Sequence, residues 1–178
     1  NEPIETIWTE WAIDLDRQVG TVDLPNSRLQ HAEVPLHPFL GSIGVAPRFG
    51  RVESTLTPGE YGGNMDCVDT CEGATLYLPV WVDGGYLSFG DVHAAQGDGE
   101  LNGTALEVTA EVTLQVDVLK NLPAQWPRIE SESHIMVAGS TRPLIDCLRL
   151  AQVELLSWLV EDFGFDREEA WQLNAQVG

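Results

Sequence analysis

The spacing of apolar residues changes once along this chain, near residue 140, and this change limits the possible folds more than any other feature. Before it, apolar and polar residues alternate in short stretches separated by glycine and proline, which predicts β-strands. After it, apolar residues recur at the helical interval. Strands followed by helices predict an α+β protein. We expect a β-sandwich-like, strand-rich body over residues 1–139 and a C-terminal helical hairpin over residues 140–178, packed together as one domain.

Three strands can be predicted individually. The clearest runs from Val108 to Val118, where every second residue is apolar. Residues Thr75 to Val82 and Tyr86 to Phe89 are predicted to form a hairpin, because the Asp-Gly-Gly sequence between them favours a tight turn. All three strands belong to the predicted body.

Two helices are predicted after residue 140. The apolar stripe of the first comprises Leu144, Leu148, Ala151, Leu155 and Leu159. Thr141 is expected to cap the start of this helix and Gly164 to follow its end. A second helix should begin at once, with Asp166 as its N-cap and Glu169 completing a capping box.

The charge of the chain is strongly one-sided. Its 178 residues include 9 Lys+Arg and 28 Asp+Glu, a formal net charge of −19. Such a surface repels phosphates, so the sequence argues against binding of nucleic acid or an anionic membrane.

The sequence also favours a location in the cytoplasm. We find no membrane span and no leader-like start, and three cysteines are too few for a disulfide framework. Because Lys120 is the only lysine, we consider a high-salt cytoplasm.

The stretch GDVHAAQGDGE, residues 90–100, holds the densest set of candidate ligands. Asp91 and His93 are two residues apart, as are Asp98 and Glu100, so in an extended chain each pair projects from one face. One imidazole with several carboxylates suits Zn²⁺, Mn²⁺, Mg²⁺ or Ca²⁺. The alternative is that aspartate and glycine form ordinary turns here and that His93 is a structural histidine.

Two further stretches hold candidate residues. In GGNMDCVDTC, residues 62–71, Asn64 and Asp66 are also two apart, and the alternative is an Asx turn. Cys67 and Cys71 lack a second ligand pair at zinc-finger spacing, which favours free thiols. In HPFLGSIGVAP, residues 37–47, small residues could wall a pocket and leave backbone N–H groups open to an oxyanion.

Taken in order, these stretches resemble the acetamidase/formamidase family. HPFLGSIGVAP, then GGNMD, then the run from GATLYLPVW through GDVHAAQGDGE to TALE stand here as in its members, and the resemblance extends from Ile7 to Asn174. One departure is Cys67 directly after GGNMD. Members also carry an upstream segment that has no counterpart here. The chain therefore resembles the central and C-terminal portion of the family.

The resemblance implies a hydrolase of linear amides that converts formamide or acetamide to the carboxylic acid and ammonia. Since no activated serine or cysteine is evident, we expect metal-assisted attack of water. Asp66, Asp91 and His93 are the expected ligands of a divalent cation, Zn²⁺ or else Ca²⁺, Mg²⁺ or Mn²⁺. Roles are also expected for four further residues: Glu100 as general base, Asp98 as second ligand or orienter, Asn64 as binder of the amide oxygen, and Glu107 as a weaker candidate.

Two other functions remain open at this point. One is a calcium-dependent β-sandwich binding module. The other is an inactive or partner-dependent subunit of a split amidase, whose apolar surface needs a partner. We expect a homodimer or higher oligomer, or a pocket completed by an N-terminal segment or a second chain.

Overall fold

The computed structural model describes residues 9–178. The first eight residues of the predicted body, among them Ile7 where the resemblance begins, lie outside the described residues. Nine strands and two helices follow: β1 (Trp11–Asp14), β2 (Val19–Leu24), β3 (Gln30–Pro35), β4 (Phe39–Gly44), β5 (Gly62–Asn64), β6 (Thr75–Tyr77), β7 (Ser88–His93), β8 (Arg128–Glu130), β9 (Ile135–Val137), α1 (Leu144–Glu161) and α2 (Arg167–Val177). The predicted α+β class is confirmed.

The strands form three small antiparallel sheets, each with three strands. Their orders are β1-β2-β3, β5-β4-β7 and β6-β8-β9. In the second sheet, β4 is central and pairs with β5 on one side and β7 on the other. The third sheet carries the helices, since α1 packs against β9 and α2 packs against α1.

The predicted hairpin over residues 75–89 is wrong. Its turn exists, with the Gly85 N–H donating to the Val82 carbonyl at 2.9 Å. The flanking strands, however, lie in different sheets: β6 pairs with β8, and β7 pairs with β4. β6 ends at Tyr77, shortly before Pro79, which cannot donate to a strand ladder. A favourable turn sequence therefore did not decide which strands pair.

The predicted strand from Val108 to Val118 is also wrong. Pairing with the end of β7 continues as far as Val108, whose N–H donates to the Val92 carbonyl at 3.1 Å. From there to residue 119 no strand is assigned, and the side chain of Val118 is 80% exposed. Alternation decides which face each side chain takes, but a strand also needs a neighbouring backbone, and the described residues offer none here.

The helical hairpin is confirmed, with two corrections. Asp166 caps α2 as predicted, accepting from the N–H groups of Glu168 and Glu169. Pro143, rather than Thr141, stands at the N-cap of α1. The predicted apolar stripe is only half right, because Leu144 is 82% exposed whereas the second half of the helix is buried. The buried residues of α1 are Glu154, Leu156, Trp158 and Leu159.

A buried charged residue ties α1 to the third sheet. Arg128 of β8 is fully buried, and its Nε donates to Glu154 Oε1 at 2.7 Å. Its Nη2 donates to Glu161 Oε2 at 3.3 Å, and its guanidinium lies over the Trp158 ring, 5.3 Å from the centroid. Nη1 lies 3.7 Å from a carboxylate oxygen of Asp162, which is an ion pair but too long for a hydrogen bond.

No helix within residues 9–178 has both the length and the apolar character that crossing a membrane requires.

Candidate functional site

The second sheet brings together the three stretches that the sequence singled out. β4 comes from HPFLGSIGVAP, β5 from GGNMD and β7 from GDVH. Their register places Ser42 opposite Asn64 and Phe39 opposite His93. Residues far apart in the chain therefore meet along one short strand.

Asp66 follows β5 and points into this site. Its backbone N–H donates to the Gly41 carbonyl at 3.1 Å, and its Oδ2 accepts from Asn64 Nδ2 at 2.7 Å. Its other carboxylate oxygen, Oδ1, is buried and has no hydrogen-bond partner among the described residues. Burial, followed by the nearby Glu100 carboxylate, raises the pKa of Asp66 to about 6. This oxygen is a buried acceptor that lacks a partner.

His93 ends β7 and is the most buried polar group of the site, with 1% of its side chain exposed. The ring meets Phe39 edge to face, 5.1 Å between centroids. Its Nε2 lies 3.3 Å from a carboxylate oxygen of Asp91 and 3.3 Å from one of Glu107. Burial alone would lower the pKa of His93, but the Gln96 hydrogen bond and these two carboxylates raise it above its usual value.

Gly41 allows β4 to approach these side chains. A Cβ atom at this position would lie 2.8 Å from both His93 Cε1 and the Asp91 carbonyl oxygen. Such distances are well inside van der Waals contact. A glycine is therefore required here, and this explains one small residue of the HPFLGSIGVAP stretch.

Two groups of side chains have a geometry that could hold a metal ion. One comprises Asp66, His93 and Glu100, and the other comprises Asp91, His93 and Glu107. Within each group the candidate ligand atoms lie within 4.8 Å of one another. Both groups share His93, so the two possible nitrogen and oxygen sites lie around a single imidazole.

The structure brings five of the six predicted site residues into this centre or into direct contact with it. Asp98 is the exception: it is exposed and belongs to neither group. The reason is the turn around Gly97, where the Glu100 N–H donates to the Gly97 carbonyl at 3.0 Å, so Asp98 and Glu100 do not share the face expected of an extended chain.

Asn64 is placed differently from its expected role. Its Oδ1 accepts from Ser42 Oγ at 2.6 Å, and its Nδ2 donates to Asp66. The side-chain oxygen and one amide hydrogen are therefore committed within the protein. Asn64 orients Asp66 in this structure.

Sequence reasoning missed Gln96 and Ser42 and undervalued Glu107. Gln96 links His93 Nδ1 to the Asp66 backbone carbonyl, with both contacts at 2.8 Å. The available signal was its position in GDVHAAQ, three residues after His93. Glu107 reaches the site because it forms an isolated bridge with His93, a pairing that no local sequence pattern shows.

The two cysteines beside the site are free thiols, as predicted. Burial raises the pKa of the Cys67 thiol, so it is held in its protonated form at neutral pH.

Fold and site together define the class: an α+β protein with a carboxylate and imidazole centre on a short three-stranded sheet. Within that class, the chain belongs to the Acetamidase/Formamidase family, whose sequence model matches residues 50–173. The predicted family is confirmed, although the family model matches a shorter stretch, residues 50–173, than the expected Ile7 to Asn174.

Solved structures and a curated relative agree with this assignment. An acetamidase from Yersinia enterocolitica is 43% identical with a TM-score of 0.81, over 92% of this chain and 48% of that one. An acetamidase from Bacillus halodurans is 35% identical with a TM-score of 0.80, over 93% and 53%. The acetamidase of Mycolicibacterium smegmatis is 42% identical over 67 residues, 37% of this chain and 16% of that protein. The chain thus spans about half the length of the solved structures it matches and less of the curated relatives.

Proposed function

We propose that this chain hydrolyses short-chain linear amides such as formamide or acetamide, giving the carboxylate and ammonia. Its relatives carry the names acetamidase and formamidase. The observation that carries the proposal is the unpartnered buried oxygen of Asp66 in a centre built around His93. A family fold with an intact polar centre favours catalysis over a purely structural role.

The donor set suits a divalent cation. His93 would supply nitrogen, and oxygen would come from Asp91 and Glu107 in one group and from Asp66 in the other. Asp66 Oδ1 is the strongest sign of fit, because a buried carboxylate oxygen without a donor is costly unless a cation satisfies it. Zn²⁺ accepts both imidazole and carboxylate ligands, with Mn²⁺, Mg²⁺ and Ca²⁺ as alternatives. When bound, such an ion polarises a carbonyl group and lowers the pKa of water.

Glu100 is the proposed general base. Its carboxylate lies close to that of Asp66 and, after burial, is the next cause that raises the pKa of Asp66. A carboxylate in this position accepts a proton from the attacking water. The same proton then passes to the amide nitrogen as the carbon–nitrogen bond breaks, which yields ammonia and the carboxylic acid. Asn64 and Ser42 hold Asp66 in place during these steps.

We also propose that the chain works in an assembly, as a homodimer or higher oligomer or together with a second chain. Exposed apolar side chains support this, among them Leu114, Val116 and Val118 in the segment predicted as a strand. Their period-two spacing fits pairing with a strand from elsewhere.

Ammonia release tests the activity. Formamide and acetamide are supplied to the protein before chelation, after chelation, and after return of Zn²⁺, Mn²⁺, Mg²⁺ or Ca²⁺ separately. We expect release that falls at least about 10-fold on chelation and returns with one of these ions. Light scattering on the same samples reports the assembly. Release that is unaffected by chelation would contradict the cation, and calcium binding without any ammonia would favour the binding module instead.

We further propose a cytoplasmic location, in a cell interior rich in salt. The three free cysteines and the excess of carboxylates over basic residues support it. We expect the thermal midpoint to rise by about 5 °C between low salt and molar KCl, since salt screens the repulsion among surface carboxylates. Sucrose, which screens no charge, is the control. An equal midpoint at both salt concentrations would contradict the salt-rich location.

A further inference from the structure

Gln96 makes two side-chain contacts that join different parts of the site. Its Nε2 donates to the backbone carbonyl of Asp66 at 2.8 Å, and its Oε1 lies 2.8 Å from His93 Nδ1. No other residue described here contacts Nδ1 in this way. The side chain is half-buried and its two contacts bridge residues that are far apart in the chain.

The direction of the Gln96 amide follows from its partners. A backbone carbonyl can only accept, so the NH₂ group of Gln96 must face Asp66. The oxygen of the same amide then faces His93, and an amide oxygen can also only accept. Nδ1 must therefore carry a hydrogen.

This arrangement determines whether Nε2 of His93 carries a hydrogen or a lone pair. When the imidazole is neutral, a hydrogen on Nδ1 leaves Nε2 with a lone pair, and Nε2 is the nitrogen that faces Asp91 and Glu107. Without Gln96, the opposite tautomer would be preferred, because an Nε2–H group could donate to two carboxylates 3.3 Å away. That tautomer has no lone pair on the carboxylate side.

We propose that Gln96 is a positioning residue that fixes the Nδ1–H tautomer of His93 and so keeps the Nε2 lone pair directed at Asp91 and Glu107. Packing supports this role, since the edge contact with Phe39 and the 1% exposure of His93 leave the ring little freedom to turn over. The bond to the Asp66 carbonyl holds the Gln96 amide in the one orientation that has this effect.

The consequence for binding rests on the proposed function, because a lone pair on Nε2 matters when a cation is held there. Partners of the second nitrogen of a ligating histidine typically change metal affinity by about 10–100-fold. The tautomer itself can be measured without any metal, so the two claims can fail separately.

The test is nitrogen NMR of the metal-free full chain with ¹⁵N-labelled histidine, above the pKa of the ring, where the two nitrogens of a neutral imidazole differ strongly in shift. Two variants are compared with the unmodified protein. Gln96→Met keeps the length of the side chain and removes both polar atoms. Gln96→Glu keeps an acceptor for Nδ1–H and loses the donor to Asp66. His31, His37 and His134 serve as internal controls for the fold.

We expect the Nδ1–H tautomer of His93 to predominate in the unmodified protein and in Gln96→Glu, and the Nε2–H tautomer in Gln96→Met. Zn²⁺ titration should show about 10–100-fold weaker binding for Gln96→Met. A predominant Nε2–H tautomer in the unmodified protein, or retention of Nδ1–H in Gln96→Met, overturns the inference. The expected tautomers without any Zn²⁺ binding support the inference and count against the proposed cation alone.

Discussion

The Glu100→Gln variant should release ammonia from acetamide at least about 100-fold more slowly than the unmodified protein. Glutamine preserves the shape of the side chain, but it cannot accept the proton of the attacking water. His93→Ala should cause a loss of at least the same size, because it removes the group shared by both candidate ligand sets. The measurement is the initial rate of ammonia release at saturating acetamide.

Glu111→Gln is the matched control for this loss. Glu111 is an exposed glutamate a few residues beyond Glu107 and takes no part in the site. The same change in charge should leave its rate within about twofold of the unmodified protein, since exposed substitutions away from a site have small effects. Turnover that survives both Glu100→Gln and His93→Ala within tenfold would remove the proposed assignment of roles.

The largest expected effect on stability is at Glu154. Replacing it with glutamine should lower the free energy of unfolding by about 3 kcal/mol, because the buried Arg128 guanidinium loses its closest counter-charge. Glu154 also accepts a hydrogen bond from the Gln125 N–H, which lies 3.2 and 3.3 Å from its two carboxylate oxygens. In the glutamine variant one of these oxygens becomes an NH₂ group, which cannot accept from the Gln125 N–H or the Arg128 Nε–H. The thermal midpoint should fall by about 6–12 °C.

Glu161→Gln provides the comparison at the other carboxylate of the same guanidinium. Glu161 is 37% exposed and lies 3.3 Å from Arg128 Nη2, so solvent screens this pair and its loss should cost less than about 1 kcal/mol. Chemical denaturation of both variants gives the two free energies. Equal losses in the two variants would show that burial of the Arg128–Glu154 pair is not what stabilises this junction.

The local signals in the sequence were reliable where a single element contains all the partners. Asp166 caps α2 through N–H groups two and three residues ahead of it, and such a contact needs no distant chain. The period of the apolar residues located α1 for the same reason. The period did not predict which turns of α1 are buried, because burial depends on where β9 and α2 pack against this helix.

The wrong strand predictions show that local signals are insufficient where an element needs a partner from elsewhere in the chain. Alternation from Val108 to Val118 is as regular as in any strand of this protein, yet pairing stops at Val108. The turn before Tyr86 forms as expected, but the strands beside it join different sheets. Strand pairing depends on which backbone edge lies nearby, and no property of the strand's own residues specifies that edge.

The same distinction applies to the residues of the candidate site. The residue types and their spacing sufficed to select Asp66, Asp91, His93 and Glu100, because carboxylates, an imidazole and glycines occur together in two short stretches. Three-dimensional packing alone placed Glu107 beside His93, turned Asp98 to solvent and committed Asn64 to Ser42 and Asp66. Chemical identity is a property of each residue, whereas distance and burial arise only when separate strands share one sheet. For that reason the sequence predicted the kind of chemistry at the site but not the contact partner of each side chain.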